Sequence, residues 1–447
     1  MRKYIFHVFI LFLSCGVFAQ QKELHLSMQD AIDYALKNNY DNKIAAKNIE
    51  AAKERKWETT TIGLPQIDGK VDYQNWLKQQ VQLLPAELAG GAPGTFVPVR
   101  FGTKQTMNAS VTLRQLIFDG SYLVGLQSAR TYLKISEQSK EKTALATREA
   151  VINAYGNVLL IEKSIGILEN NRQNLQKNLD ETQKIYDNGL TELENVEQLQ
   201  ITLANVENNL NNAKRMKAIS YKMLNIALGN KIEKQLVLTD DLDSLVLANT
   251  DLSLLTKVFD VEKHIDYRMA DNDRESKRLL MRLEQSKALP SLSAFVNYGA
   301  NANSNEFEFF SSKSKWFDYS MFGVSLNVPI FSSFGRRSKT ARARIELENA
   351  DIRREEIRQK LNLQAESAKS EYQLSIENYE TAKKNLGLAE RIEKKQQVKF
   401  FEGLSSSFDL LQAQNQLYSQ QNGYMQSMLE VIAKKAKLEN ALNIPIK

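Results

Sequence analysis

The chain carries one pattern twice, and that duplication limits its possible folds more than any other feature. Shifted by 213 residues, VTLRQLIF (Val111 to Phe118) falls on VSLNVPIF (Val324 to Phe331). At a shift of 214, YDNGLT (Tyr186 to Thr191) falls on FFEGLS (Phe400 to Ser405), and LNIALG (Leu224 to Gly229) falls on LENALN (Leu438 to Asn443). GLPQI (Gly63 to Ile67) has its counterpart in ALPSL (Ala288 to Leu292). Three separated matches at shifts of 213 and 214 imply two copies of one structural unit. Each copy reads as helix, strand, loop, strand, very long helix, tight turn, long helix. The first repeat is expected over 20–229, with strands at about 65–77 and 106–118 and a helical hairpin at about 120–229. The second is expected over 264–447, with strands at about 289–302 and 317–331 and a hairpin at about 335–442. Residues 230–263 lie between them.

The hairpins are long because little interrupts them: 447 residues contain only 7 Pro and 19 Gly. Their apolar positions step by four and three. Ile161, Ile165, Leu168, Leu175, Leu179 and Tyr186 keep that step through Arg172 and Thr182, and Val196, Leu199, Leu203, Val206 and Leu210 continue it after Gly189. Leu361, Ala365, Ala368, Tyr372, Tyr379, Ala382, Leu386 and Ala389 repeat it in the second half. Such a seam belongs to coiled-coil packing. An unbroken helix from Gly120 to Asp187 would run roughly 100 Å at about 1.5 Å per residue, longer than a compact core requires.

The strands alternate differently. In LPQIDGKVDYQNW, Ile67, Val71 and Tyr73 oppose Asp68, Lys70, Asp72 and Gln74. In LSAFVNYGANA, Leu292, Ala294, Val296, Tyr298 and Ala300 oppose Ser293, Asn297 and Asn301, with Phe295 out of pattern. Alternation over about ten residues suits a membrane β-barrel; a soluble sheet packed on a helix is the competing reading. Tyr298, Trp316, Phe317 and Tyr319 are expected in an interfacial aromatic girdle. Lys78 to Gln105 and Asn303 to Lys315 read as exposed loops. Four strands cannot close a membrane barrel, and open edges are not viable in lipid, so several copies must share one barrel.

MRKYIFHVFILFLSCGVFAQ reads as a secretory signal peptide over 1–19: Arg2 and Lys3, an apolar core from Ile5 to Leu13, and cleavage after Ala19. In a second reading Cys15, the sole cysteine, is lipidated as the first residue of the mature chain. Mean hydropathy is −0.41, which excludes a polytopic helical membrane protein. The net charge of +6 comes without a basic block interleaved with aromatics, so no nucleic-acid partner is expected. Basic residues do cluster at Arg336, Arg337, Lys339, Arg342 and Arg344, either facing lipid headgroups or simply solvated. His25 and His264 stand far from any catalytic partner, and no phosphate loop, dinucleotide turn or metal-spaced cluster is present. The expectation is a protein with no enzymatic activity, no cofactor and no metal site.

With these features together, the chain resembles the TolC family of outer-membrane efflux channels, from LSMQDAIDYALKNN (Leu26 to Asn39) to ALNIPIK at the end. VPIFSSFG resembles the family's strand-to-helix motif; IFDG matches it with Leu116 in place of the proline. The resemblance implies a fold that is mainly α with membrane β: a trimeric channel-tunnel with four strands per chain, located in the outer membrane and extending into the periplasm. Residues 230–263 and the chain ends would form a belt around its waist. Its partners would be two more copies of itself, outer-membrane lipid, a periplasmic adaptor (membrane fusion) protein and an inner-membrane pump. Its function would be the passive exit duct of a tripartite efflux system for drugs, detergents or metals. The alternatives are the outer-membrane component of an ATP-driven (type I) protein secretion system or, less favoured, a structural periplasmic coiled-coil protein. The turns NGLTELENVEQ and EGLSSSFDLLQ would form the periplasmic tip, with Gly189, Leu190, Thr191, Gly403, Leu404 and Ser405 as adaptor-docking positions. Asp409 matches a gate aspartate of the family. Gln412 stands where some members carry a second aspartate, Asn195 stands at the place of another acidic partner, and Ser405 replaces an arginine. These three form the expected periplasmic gate: Asp409, Gln412 and Asn195. A ring of Asp409 carboxylates from three chains would attract cations and titrate above the usual range.

Overall fold

A computed structural model describes residues 23–444 other than 313; the expected signal peptide and Cys15 lie outside the described residues. The first repeat runs β1 (Leu24–Leu26), α1 (Met28–Asn38), α2 (Tyr40–Thr61), β2 (Gln66–Asn75), β3 (Val81–Pro85), β4 (Phe96–Arg100), β5 (Gln105–Asp119), α3 (Gly120–Asp187) and α4 (Leu193–Leu228). Between the repeats lie β6 (Leu236–Leu238), α5 (Leu242–Ala248) and two short 3-10 turns. The second repeat runs α6 (Ile265–Ser286), β7 (Ser291–Ser304), β8 (Trp316–Asn327), α7 (Gly335–Phe401) and α8 (Ser407–Ala441). The elements pack into two compact units, and each unit draws on both repeats.

One unit holds the sheet, with strand order β2-β5-β7-β8, antiparallel throughout. Its central pair, β5 with β7, joins one repeat to the other. The outer strands β2 and β8 each keep one side without a strand partner among the described residues. Register sorts the side chains cleanly, because alternate residues of a strand face opposite sides. Ile67, Leu113, Val296 and Phe322 stand in one row across all four strands; Asp68, Thr112, Asn297 and Met321 stand in the next row, on the opposite face. On that second face Asn297 Nδ2 donates to Thr112 Oγ1 (2.6 Å) and Arg114 Nη1 to Asp68 Oδ2 (2.8 Å). The first face is largely unburied: Val71 is 69% exposed and Phe322 70%. A sheet face this apolar and this open is unlike that of a soluble sandwich.

Three details differ from the sequence expectation, and a fourth follows it. The fourth strand stops at Asn327, so Val328 to Phe331 continue the alternation without a partner strand. Lys78 to Gln105 is not a plain loop but contains the β3–β4 hairpin, whose short strands were hidden by the GGAPG stretch between them. The aromatic girdle is split: register places Tyr298 and Trp316 on the apolar face, Phe317 and Tyr319 on the polar one, and Tyr298 lies mid-strand. Phe295, out of pattern in sequence, lies on the polar face over Gly323, where a Cβ would come within 2.5 Å of its ring.

The other unit packs α1, the later part of α3, α4, α5, the later part of α7 and α8 around one core. Ala31, Val151, Tyr155, Leu224, Leu228, Tyr372, Met428, Val431 and Leu438 are fully or almost fully buried there. Residues 230–263 are tied to it by two buried tyrosines. Tyr155 Oη accepts from Asp240 N (3.4 Å) and donates to Leu26 O (3.0 Å) in the parallel β1–β6 pair, and Tyr372 Oη donates to Asn249 O (2.6 Å). Ion pairs hold its rim: Arg148 with Glu439, Lys163 with Asp243, and Lys434 and Lys437 on Glu371. By length and composition α3 contains a stretch apolar enough to cross a membrane. A core helix passes the same test, and Val151, Ile152, Tyr155, Val158 and Leu159 of α3 belong to this core.

Away from that core the seam turns polar. The buried line on α3 is Asn171, Leu175, Asn178 and Thr182, whereas Arg172 of the expected seam is exposed. Asn171 Nδ2 donates to Gln421 Oε1 and Asn178 Oδ1 accepts from Gln397 Nε2, both at 2.8 Å. Apolar periodicity cannot find such positions, since asparagine counts as a surface residue in any sequence pattern.

Candidate functional site

The two helical turns are built alike. α3 ends with Gly189 at φ 72° and α7 ends beyond Phe401 with Gly403 at φ 73°, the left-handed value glycine adopts without penalty. In each turn the glycine N–H and the following leucine N–H return to the helix: Gly189 to Tyr186 O, Leu190 to Ile185 O, Gly403 to Phe400 O and Leu404 to Lys399 O. These bonds satisfy carbonyls the helix leaves open and turn the leucine outward. Leu190 is 78% exposed and Leu404 72%.

A cleft of about 670 Å³ separates the turns. It brings together Leu190, Thr191 and Asn195 from one repeat with Gly403, Ser405 and Phe408 from the other. Gly189, Leu404, Asp409 and Gln412 are not part of its wall. Phe408, absent from the sequence expectation, is 66% exposed and adds a third apolar group to the two leucines.

The gate residues have local duties in the chain. Ser406 caps α8, accepting from Asp409 N (3.2 Å), while Asp409 Oδ2 accepts from Ser406 Oγ (2.7 Å) and Ser406 N (3.1 Å). This is a reciprocal capping box. Its Ser406 hydroxyl holds the Asp409 carboxyl below the usual range, with the Ser406 N–H, the Ser405 hydroxyl and Lys399 acting in the same direction. Within one chain these donors stabilise the carboxylate, and the raised titration expected for a ring of three carboxylates would have to overcome them. In the first repeat Asn195 occupies the matching position, Glu192 gives no side-chain cap, and Asn195 Nδ2 donates to Thr191 Oγ1 (2.7 Å). Gln412 is exposed. The spacing S-x-x-D in SSFD was the available sequence signal for the capping role.

Among the described residues no group of three or more His, Cys, Asp or Glu side chains is placed to hold a metal ion. His264 is buried and meets Phe259 edge-on with ring centres 6.0 Å apart.

A duplicated chain whose open-edged sheet shows one apolar and one polar face, and whose helical hairpins end in matched turns, has the parts of a membrane channel protein. The family model for outer membrane efflux proteins matches residues 31–230 and 262–443, and the chain belongs to that family. It is an outer-membrane efflux channel protein of the TolC-like type, extending into the periplasm, and channels of this family are transport ducts rather than enzymes. Solved structures of similar fold include CusC (TM-score 0.73, 16% identity, covering 93% of this chain and 91% of that one). VceC of Vibrio cholerae is also similar (0.70, 15%, 93% and 95%), as is CmeC of Campylobacter jejuni (0.72, 17%, 93% and 85%). At these identities the likeness concerns the fold.

Proposed function

We propose that three copies form one twelve-stranded barrel and that the assembly is the passive exit duct of a tripartite efflux system. Small molecules would pass through it from a periplasm-spanning pump to the outside, with an adaptor engaging the two helical turns. The observation that carries the shared barrel is the sheet: an apolar face suited to lipid and two outer strands, β2 and β8, each with one side unpaired among the described residues; the number three is taken from the family resemblance. An open edge in hydrocarbon leaves several backbone groups unsatisfied, and pairing β8 of one copy with β2 of the next removes every edge. For the docking role the support is the pair of exposed leucines with Phe408, apolar groups on a helical tip that the chain itself leaves uncovered. Asp409 would serve the entrance first by fixing the start of α8.

The test is photo-crosslinking in cells from position 404, with mass spectrometry of the captured partner. Capture of an adaptor belonging to a proton-driven pump supports the proposal. Capture of an adaptor of an ATP-driven transporter moves the protein to secretion. Outer-membrane trimers that capture nothing would sink the docking role while leaving the barrel intact.

A further inference from the structure

The two copies of the strand-to-helix junction are built for different tasks. In the first, β5 runs into α3 without a break, and Asp119 caps the helix by accepting from Ser121 N (2.7 Å) and Tyr122 N (3.1 Å). In the second, β8 stops at Asn327 and residues 328–334 precede α7. Two successive non-glycine residues there, Ser333 (φ 48°) and Phe334 (φ 62°), adopt the left-handed backbone conformation, which disfavours side chains. The turn is held by Arg336, whose Nη2 donates to Pro329 O (3.0 Å) and Ile330 O (3.3 Å), and by Gly335 N donating to Ser332 O (2.8 Å). What this costly turn presents is apolar: Ile330 is 89% exposed, Phe331 74% and Phe334 67%, with the two rings edge to face at 5.9 Å.

Directly after it come Arg337, Lys339, Arg342 and Arg344, all exposed, and none lies within 4.0 Å of a carboxylate among the described residues. The next turns of the same helix are paired: Glu346 with Lys277, Asp351 with Arg274, and Arg354 with Asp271. Ordinary solvated surface on this helix therefore carries both signs, and the first turns carry one sign only. An apolar aromatic knob at the end of a lipid-facing strand, followed at once by unpaired cations, matches the depth profile of a leaflet: acyl chains, then anionic headgroups.

We propose that this junction is a binding site for anionic phospholipid of the inner leaflet of the outer membrane. Ile330, Phe331 and Phe334 enter the acyl region, and the phosphates are held by the cations on whichever of two opposite faces of α7 meets lipid, Arg337 with Arg344 or Lys339 with Arg342. The site would fix how deep β8 sits and would supply α7 with an anchor that α3 lacks. The inference does not depend on which pump the channel serves.

The experiment uses the full-length protein in mild detergent, offered equal amounts of phosphatidylglycerol and phosphatidylethanolamine, with retained lipid counted by native mass spectrometry. Wild-type protein should retain phosphatidylglycerol about tenfold over phosphatidylethanolamine at low salt, from a few screened lysine and arginine contacts. Changing Arg337, Lys339, Arg342 and Arg344 together to Gln should bring that ratio close to one without altering the melting temperature. If that variant folds poorly, the pairs Arg337/Arg344 and Lys339/Arg342 are changed separately, since the members of each pair share a helix face. A photo-crosslinker at position 331 in otherwise unaltered protein should capture lipid. An unchanged lipid ratio overturns the proposal. So does a change in the ion selectivity of the channel with the lipid ratio intact, which would place the cations in the pore. Capture of a second copy of the chain from position 331 would overturn the apolar half.

Discussion

Replacing Asn178 by leucine is expected to stabilise the tip-side part of the helical unit, although it deletes a buried hydrogen bond. Asn178 is 1% exposed, its Oδ1 accepts from Gln397 Nε2, and its Nδ2 has no partner among the described residues. An unpaired buried N–H group costs about 1–3 kcal/mol, and the bond to Gln397 contributes about 1 kcal/mol. Gln397 is only half-buried, so its Nε2 can turn to water when the acceptor is gone. Leucine keeps the branched outline but has larger methyl ends, so a packing cost of about 1 kcal/mol offsets the apolar burial it adds beside the small cluster of Leu175, Leu199, Leu203 and Val206, and it is a slightly better helix former. The balance is about 1 kcal/mol in favour of the variant, which converts to about fivefold less local opening. The assay is amide hydrogen exchange over 175–198 and 397–414, compared with a segment of the apolar core such as 424–438. Slowed exchange confined to the tip side supports the reasoning. Exchange that quickens by fivefold or more would refute it, because Nδ2 would then have a partner, water or another copy, whose loss outweighs the gain.

Three further outcomes follow from the same structure. Two lysines beside Glu371 give a pH signature: hydrogen bonds from Lys437 and Lys434 lower its pKa to about 2, so its contribution is complete above the usual carboxylate range and lost as pH falls through about 2. The bare shift corresponds to about 3 kcal/mol, but side chains about a third exposed are screened, and about 1 kcal/mol is expected. Acid unfolding of Glu371→Gln should lack that component. Gly403→Ala, in open space but at positive φ, should destabilise the turn by about 1 kcal/mol, whereas Gly403→Asn should cost less than half of that; tip hydrogen exchange reads both. Tyr372→Phe should cost about 1 kcal/mol in thermal unfolding and raise protease sensitivity near Asn249 and Asp251, whose carbonyls lose their donor.

Repetition, alternation and glycine placement were open to a reader of the chain alone. A duplicated segment must adopt similar local structure twice, a period of two can only be satisfied by a strand, and Gly189 and Gly403 stop their helices by backbone sterics that need no tertiary partner. The family resemblance rested on the same local features. Tertiary structure decided the remainder. Asn171 and Asn178 became core residues because neighbouring helices supply Gln421 and Gln397, which no periodicity reveals. Asp409 became a capping residue held below the usual carboxylate range because Ser406 turns its hydroxyl and N–H on it. The second junction departed from its twin because a bound Arg336 holds two left-handed residues in place. Local sequence fixes what a segment can be; which polar group is satisfied, and which apolar group is left facing outward, depends on what packing brings beside it.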